Sequence, residues 1–170
     1  MIVLQTERLI LRELTTNDAE FILKLLNEPS FLRYIGDKGV RTIEDAYEYI
    51  LNNYISSYKN NGFGFYLVEL KEGNVSIGLC GLVKRPSLTH PDVGFAFLPD
   101  YWSKGYAVES ASAVIAYGQD TLGLTCILGI TSIDNHSSMN VLKKIGLKFE
   151  KRIKLFENEP ELNLFKLGNS

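Results

Sequence analysis

The sequence predicts an α+β fold built around one mixed, mostly antiparallel sheet, and three observations lead there. The apolar pattern switches between period two and helical spacing in the order strand, two helices, a meander of three strands, helix, strand, helix, two strands. Strands and helices do not alternate from the start, as a doubly wound nucleotide fold would require. The length of 170 residues, with 45% hydrophobic and 22% charged residues, suits one domain over 1–170 with a sizeable core.

Each element has its own signal. Residues 7–14 (ERLILREL) are rich in Leu and Ile and partly alternate, which predicts the first strand. TTNDAE then starts a helix, with Asn17 as cap and Glu20 three residues on, an apolar stripe of Phe21, Ile22, Leu25 and Leu26, and Pro29 as its stop. SFLRYI is a short turn or helix leading to Gly36. Thr42 and Asp45 open the next helix, which carries Ala46, Ile50, Tyr54 and Ile55 at helical spacing. After Asn60-Asn61-Gly62 the period falls to two. GFGFYLVEL, the turn KEGN and VSIGLCGLVKR form a hairpin, and DVGFAFL is the fourth strand. A helix over 105–121 packs through Val108, Ala111, Val114 and Ile115. TCILGITS is a buried fifth strand, Gly146 stops a helix over 137–145, and LKFEKRIKLF and ELNLFKL are two strands around ENEPE.

Composition narrows the function classes. A formal net charge of −2 argues against broad adhesion to nucleic acid or anionic membranes. Cys80 and Cys126 each lie inside an apolar run, without a C-x-x-C partner, and read as buried thiols rather than a disulfide or metal site. The opening MIVLQTERLILREL is too charged for a signal peptide, and no apolar stretch reaches the length of a membrane span. The expectation is a cytoplasmic protein, monomer or homodimer, with no metal, nucleic acid or membrane partner.

One loop carries chemistry. In LPDYWSKGYAVE (98–109), a Pro-Asp turn, Trp102 and Lys104-Gly105 precede a long apolar helix. The first amides of a helix lack intrahelical acceptors and carry partial positive charge, and Gly105 and Ala107 let a ligand approach the backbone. An ordinary strand-to-helix turn would also use such a glycine. Neither the nucleoside-triphosphate pattern G-x-x-x-x-G-K-[ST] nor the dinucleotide pattern G-x-G-x-x-G occurs, which leaves a compact diphosphate cradle.

This loop resembles the Gln/Arg-x-x-Gly-x-Gly/Ala loop of the GNAT acetyltransferases, with Gly105 and Ala107 in the last two marked positions. The resemblance runs from TERLILREL through DVGFAFLPDYWSKGYAVE to ITSIDNHSSMNVLKKIGLKFE. With the Asn-x-x-Ser-x-x-Val-Leu-x-Lys-x-Gly pattern of 135–146, it is most similar to the branch containing the ribosomal-protein N-terminal acetyltransferases. Trp102 departs from it, standing where many members have Gln or Arg.

The resemblance implies a sheet splayed between its fourth and fifth strands, with acetyl-coenzyme A as cosubstrate in the gap. The backbone of Phe95, Ala96, Phe97 and Leu98 would hold the pantetheine arm. Trp102 and the amides of Ser103, Lys104, Gly105, Tyr106 and Ala107 would hold the diphosphate, and an amide near Phe97 would support the oxyanion. The reaction implied is attack of an amine on a thioester in a ternary complex, which needs a base and a proton for the thiolate. Asp92 is the first candidate base, against a plain strand start in solvent. Glu109 is the alternative, although its place in a first helical turn also suits the helix dipole. Many members use a tyrosine as acid at the position of Leu142. Here Ser138 matches a serine that the branch places near the sulfur, unless it merely caps a helix, and Asn135 is either the cap or a bridge to the cofactor.

Lys143 and Lys144 read as a solvated face or a phosphate contact, and His90 and His136 as surface residues. The resemblance puts the acceptor between the first helices and ENEPE, where Phe31, Tyr34, Tyr47, Phe63 and Phe65 are either core or aromatic walls. The acidic turn suits a cationic amine, a protein N-terminus or a small molecule. Two rival readings share this sequence: a coenzyme A-binding sensor without turnover, and an interaction domain that binds no coenzyme.

Overall fold

In the computed structural model, which describes residues 1–168, eight strands form one sheet in the order β1-β2-β3-β4-β5-β6-β8-β7. The strands are β1 (Ile2–Gln5), β2 (Leu9–Glu13), β3 (Phe65–Leu70), β4 (Ser76–Val83), β5 (Asp92–Phe97), β6 (Cys126–Ser132), β7 (Lys148–Ile153) and β8 (Leu162–Gly168). All neighbours are antiparallel except β5 and β6, so the sheet is mixed and mostly antiparallel, as expected. The first strand differs from expectation. Residues 2–13 make a hairpin of two strands about a turn at Thr6, whose N–H donates to the Leu9 carbonyl at 2.9 Å.

Helices α1 (Ala19–Leu26), α2 (Pro29–Tyr34), α3 (Ile43–Tyr49) and α4 (Ser56–Asn61) cover one face. Leu67, Leu79 and Leu98 of the sheet side pack there with Ile22, Leu25 and Ile50. Each fully buried aliphatic side chain of that stripe contributes about 1.5–3 kcal/mol. Helices α5 (Tyr106–Asp120) and α6 (His136–Lys144) cover the other face, where Ala111, Val114 and Leu142 meet Leu11, Val68, Cys80 and Val93.

Local chemistry explains the boundaries. The cap ahead of α1 is Thr15, not Asn17, and its reciprocal partner is Asp18, not Glu20, in a 3-10 turn over Thr16–Asp18. Asp18 wins because its carboxylate is already fixed by Arg12 Nη2 at 2.8 Å. Pro29 does more than stop α1, since it occupies the first turn of α2, where its missing N–H costs nothing. The Thr42–Asp45 capping box forms as expected. A π-helical turn, Ile50–Ile55, links α3 to α4.

Candidate active site

β5 and β6 touch at one register pair, Asp92 opposite Leu128, with the Leu128 N–H donating to the Pro91 carbonyl at 2.9 Å. Beyond it, β5 stays with β4 as far as Phe97 and β6 stays with β8 as far as Ser132, so a wedge opens between them. The splayed gap lies where it was expected.

Strand alternation decides which backbone groups face the wedge. The Leu98 N–H donates to Ile77 at 3.0 Å, and the β4–β5 register has no shift, so Ala96 also turns its N–H and C=O toward β4. Leu98 and Ala96 are therefore spent on the sheet, which corrects their expected role as backbone partners of a bound arm. Phe95 and Phe97 face the wedge. The Phe97 carbonyl already accepts from Trp102 Nε1 at 2.9 Å, so the Trp102 ring folds back along the wedge mouth rather than standing free.

A 3-10 turn, Pro99–Tyr101, leads from β5 into the loop, and Gly105 is the N-cap of α5. Ser103 and Gly105 have φ of 61° and 84°, the left-handed region that a residue with a β-carbon rarely adopts. The first bond closing the helix runs from the Glu109 N–H to the Gly105 carbonyl at 3.0 Å, which leaves the Tyr106, Ala107 and Val108 amides without intrahelical acceptors. Among the described residues no side chain caps α5, whereas Thr42 caps α3 and Asn135 caps α6. Ser103 and Lys104 are exposed beside these amides.

Glu109 is fully engaged, which removes it as a free base. It accepts from Thr6 Oγ1 at 2.5 Å, the Arg8 N–H at 2.9 Å and Arg8 Nε at 2.7 Å. Burial pulls its carboxyl up, but these donors outweigh it and hold the group below the usual carboxylate range. Arg8 also donates to the Lys104 carbonyl at 3.0 Å and lies 4.4 Å above the Tyr106 ring. No local pattern hints at this contact, because a turn arginine and a helical glutamate 101 positions apart carry no pairing signal.

Asp92 is buried at 1% exposure rather than solvated at a strand start. Arg85 Nε donates to its Oδ1 at 2.8 Å. Burial pushes the carboxyl above its ordinary value, and the Arg85 charge pulls it partly back. Asp92 stands at the apex of the wedge and shares a face with Gly94, where a β-carbon would lie 2.8 Å from the Phe65 ring. Phe65 meets Tyr54 edge-on at 6.0 Å, and Tyr54 meets Tyr49 at 5.4 Å. Lys38, between α2 and α3, is held below the usual lysine value by desolvation and then by repulsion from Arg85, with Glu159 acting in the opposite sense. Lys38 thus feels both Arg85 and Glu159, charges carried by two other loops. Lys38 and Arg85 were both missed, since each reads in sequence as an isolated surface cation.

The remaining expected residues divide. Asn135 is the cap of α6: its Oδ1 accepts the Ser138 N–H at 3.2 Å. The Ser138 hydroxyl makes no hydrogen bond among the described residues and is half-buried. Leu142, 1% exposed, packs onto Gly129, where a β-carbon would sit 2.9 Å from its methyls. Lys143 and Lys144 are exposed in the last turn of α6. Phe31 and Phe63 are core and Tyr47 points outward, whereas Tyr34 lies at the wedge side, its carbonyl accepting from Ser132 Oγ at 2.7 Å. No helix among the described residues is long and apolar enough to cross a membrane.

Known proteins with this arrangement agree. Residues 8–148 match the acetyltransferase (GNAT) domain family. The chain is 31% identical over 151 residues to the uncharacterized N-acetyltransferase YoaA of Bacillus subtilis, covering 87% of this chain and 84% of that protein. A GNAT-family acetyltransferase from Bacillus anthracis superposes with a TM-score of 0.81 at 26% identity, over 99% of this chain and 98% of that one. RimL, a ribosomal L7/L12 alpha-N-protein acetyltransferase solved with coenzyme A, has the same fold, with a TM-score of 0.85 at 15% identity over 99% and 98% of the two chains. On the family match and the B. subtilis relative together, this chain belongs to the GNAT acetyltransferase family.

Proposed function

We propose that the protein transfers an acetyl group from acetyl-coenzyme A to a primary amine, either a protein N-terminus or a small amine, by direct attack within a ternary complex. One observation carries this reading: the wedge between β5 and β6 opens beside the N-terminus of the 15-residue helix α5, which has no side-chain cap among the described residues. Unpaired strand edges and uncapped helix amides both need partners. A ligand with an amide-bearing arm and a diphosphate meets both needs at once.

Phe95 and the Phe97 N–H hold the arm as a strand would. The amides from Ser103 to Ala107 hold the diphosphate, with Gly105 supplying the positive φ that the loop needs to present them. Bound there, the coenzyme supplies a thioester whose carbonyl carbon lies toward the wedge apex. The amine nitrogen bonds to that carbon, the carbon–sulfur bond breaks, and the proton leaving nitrogen passes through water to Asp92. Its raised carboxyl is a better base than a solvated aspartate would be. The Ser138 hydroxyl, free of the helix cap, donates a hydrogen bond to the departing thiolate, which takes a proton from solvent to give the free thiol, as Asp92 returns its proton to water.

A second reading, a coenzyme sensor without turnover, is favoured by two features: Leu142 offers no acid, and Arg85 restrains Asp92. A thiol-release screen of acetyl-coenzyme A against peptides, polyamines and amino sugars separates the two. Release that depends on an amine supports transfer, and binding without release supports the sensor. Gly105→Trp, which forces a β-carbon onto a positive φ and against Arg8, should distort the loop and abolish coenzyme binding with the rest of the fold retained; unchanged affinity would remove the loop from the site.

A further inference from the structure

We propose that Arg8 and Glu109 act as a positioning clamp that turns the Gly105 amide into the diphosphate cradle and cancels the acidic charge beside it. The inference rests on the reading of the 103–107 loop as that cradle. Its basis is a set of contacts reaching from the β1–β2 turn to the front of α5.

The peptide between Lys104 and Gly105 is the critical one. Arg8 Nη1 grips its carbonyl at 3.0 Å. All peptide bonds described are trans, so the N–H of the same unit points opposite to its carbonyl. With the carbonyl held toward Arg8, the Gly105 N–H is turned away from the arginine. The residues on either side, Ser103 and Gly105, both have positive φ, so this peptide lies between two unusual backbone conformations. A loop of that kind keeps one orientation only when something outside it holds it.

Electrostatics require the second half of the clamp. Glu109 stands in the first turn of α5, where a bare carboxylate would repel an incoming diphosphate. Both of its oxygens are instead occupied, Oε1 by Arg8 Nε at 2.7 Å and Oε2 by Thr6 Oγ1 and the Arg8 N–H. Arg8 Nη2 sits 3.3 Å from where a Gly105 β-carbon would be, so the guanidinium lies directly behind the loop. The pair is neutral, and the helix amides keep their attraction for an anion. Stacking on Tyr106 fixes the plane of the guanidinium.

The test compares two ligands that share the thioester arm: acetyl-coenzyme A, and S-acetylpantetheine, which lacks the diphosphate together with the 3′-phosphoadenosine beyond it. Dissociation constants are measured for the wild type, Arg8→Met and Arg8→Lys. The expected result is a loss of about tenfold in acetyl-coenzyme A affinity for Arg8→Met, as suits removal of a charge-assisted hydrogen bond. S-acetylpantetheine affinity and the thermal midpoint should stay near wild type. Arg8→Lys keeps the charge but loses the fork, and should recover only part of the loss. It also carries the comparison should the methionine variant fail to fold. Wild-type affinity for acetyl-coenzyme A in Arg8→Met would overturn the clamp, and so would an equal loss for both ligands, which would mark a general structural role. A wild type that binds the two ligands equally would instead sink the cradle reading itself.

Discussion

Arg85 Nε donates to Asp92 Oδ1 at 2.8 Å, while Asp92 is 1% exposed and stands opposite Leu128 at the single rung joining β5 to β6. A partly exposed cation thus holds a buried acid at the closed end of the wedge. Burial raises the carboxyl and Arg85 lowers it again, so its protonation balances two opposed effects.

The acid limb of kcat/KM against pH should therefore lie above the usual carboxylate range, activity rising as Asp92 loses its proton. Arg85→Met removes the charge that favours the ionised form, so the limb should move to higher pH. Asp92→Asn should lower turnover by about 10²-fold or more, the usual share of a general base. A pH profile unchanged by Arg85→Met would exclude Asp92 as the base.

The same shift fixes a stability trend. A carboxyl raised in the folded state binds its proton more tightly there than in the unfolded chain. Its contribution is therefore lost as pH rises from the ordinary carboxylate range through the raised value. Asp92→Asn should flatten that part of the stability curve in urea denaturation across pH.

Asn135 and Ser138 should separate cleanly. Asn135→Ala removes the cap of α6 and should cost about 1 kcal/mol of stability. Ser138→Ala leaves the capped N–H in place, so the fold should be unaffected while kcat falls more than coenzyme affinity. Full turnover in Ser138→Ala would take the hydroxyl out of the reaction.

Trp102→Phe deletes the donor to the Phe97 carbonyl at the wedge mouth. A loss of about 1 kcal/mol is expected, the typical net worth of one hydrogen bond. Chemical denaturation of the variant beside the wild type measures it.

Both cysteines are buried, and burial pushes the Cys80 thiol up to about 12. A thiol-specific reagent should find no reactive cysteine in the native protein and two after denaturation. Native reactivity at Cys80 would contradict the packing beneath α5.

Much of this was legible from residues in a row. The Thr42–Asp45 box, the turn KEGN and the start of a helix at Gly105 are local signals, and local backbone chemistry decided them, with Gly105 becoming the N-cap. The sequence places one strand at 7–14 and misses β1, because the four residues Ile2–Gln5 are too few to show a period and the turn is marked only by Thr6 and two charges. Asn17 yielded the cap to Thr15 because Arg12, a strand residue, had already fixed Asp18. The site shows the same division. Its loop was visible, but Arg8 on Glu109, Arg85 on Asp92 and the alternation that spends Ala96 and Leu98 on β4 all depend on sheet register. Register is a property of strands brought together, and no single segment encodes it.

The lone rung between β5 and β6 also divides the sheet mechanically. Five strands on one side and three on the other are joined at Asp92 and Leu128, with α5 as the covalent strap between them. The two plates still share one core, in which Ile127 and Phe165 pack with Val93 and Val114, so any pivot between them must keep that core packed. The Leu128 amide, which holds the joint, becomes the natural gauge of that motion in hydrogen exchange. Its exchange should slow whenever a ligand fills the wedge and splints the plates together.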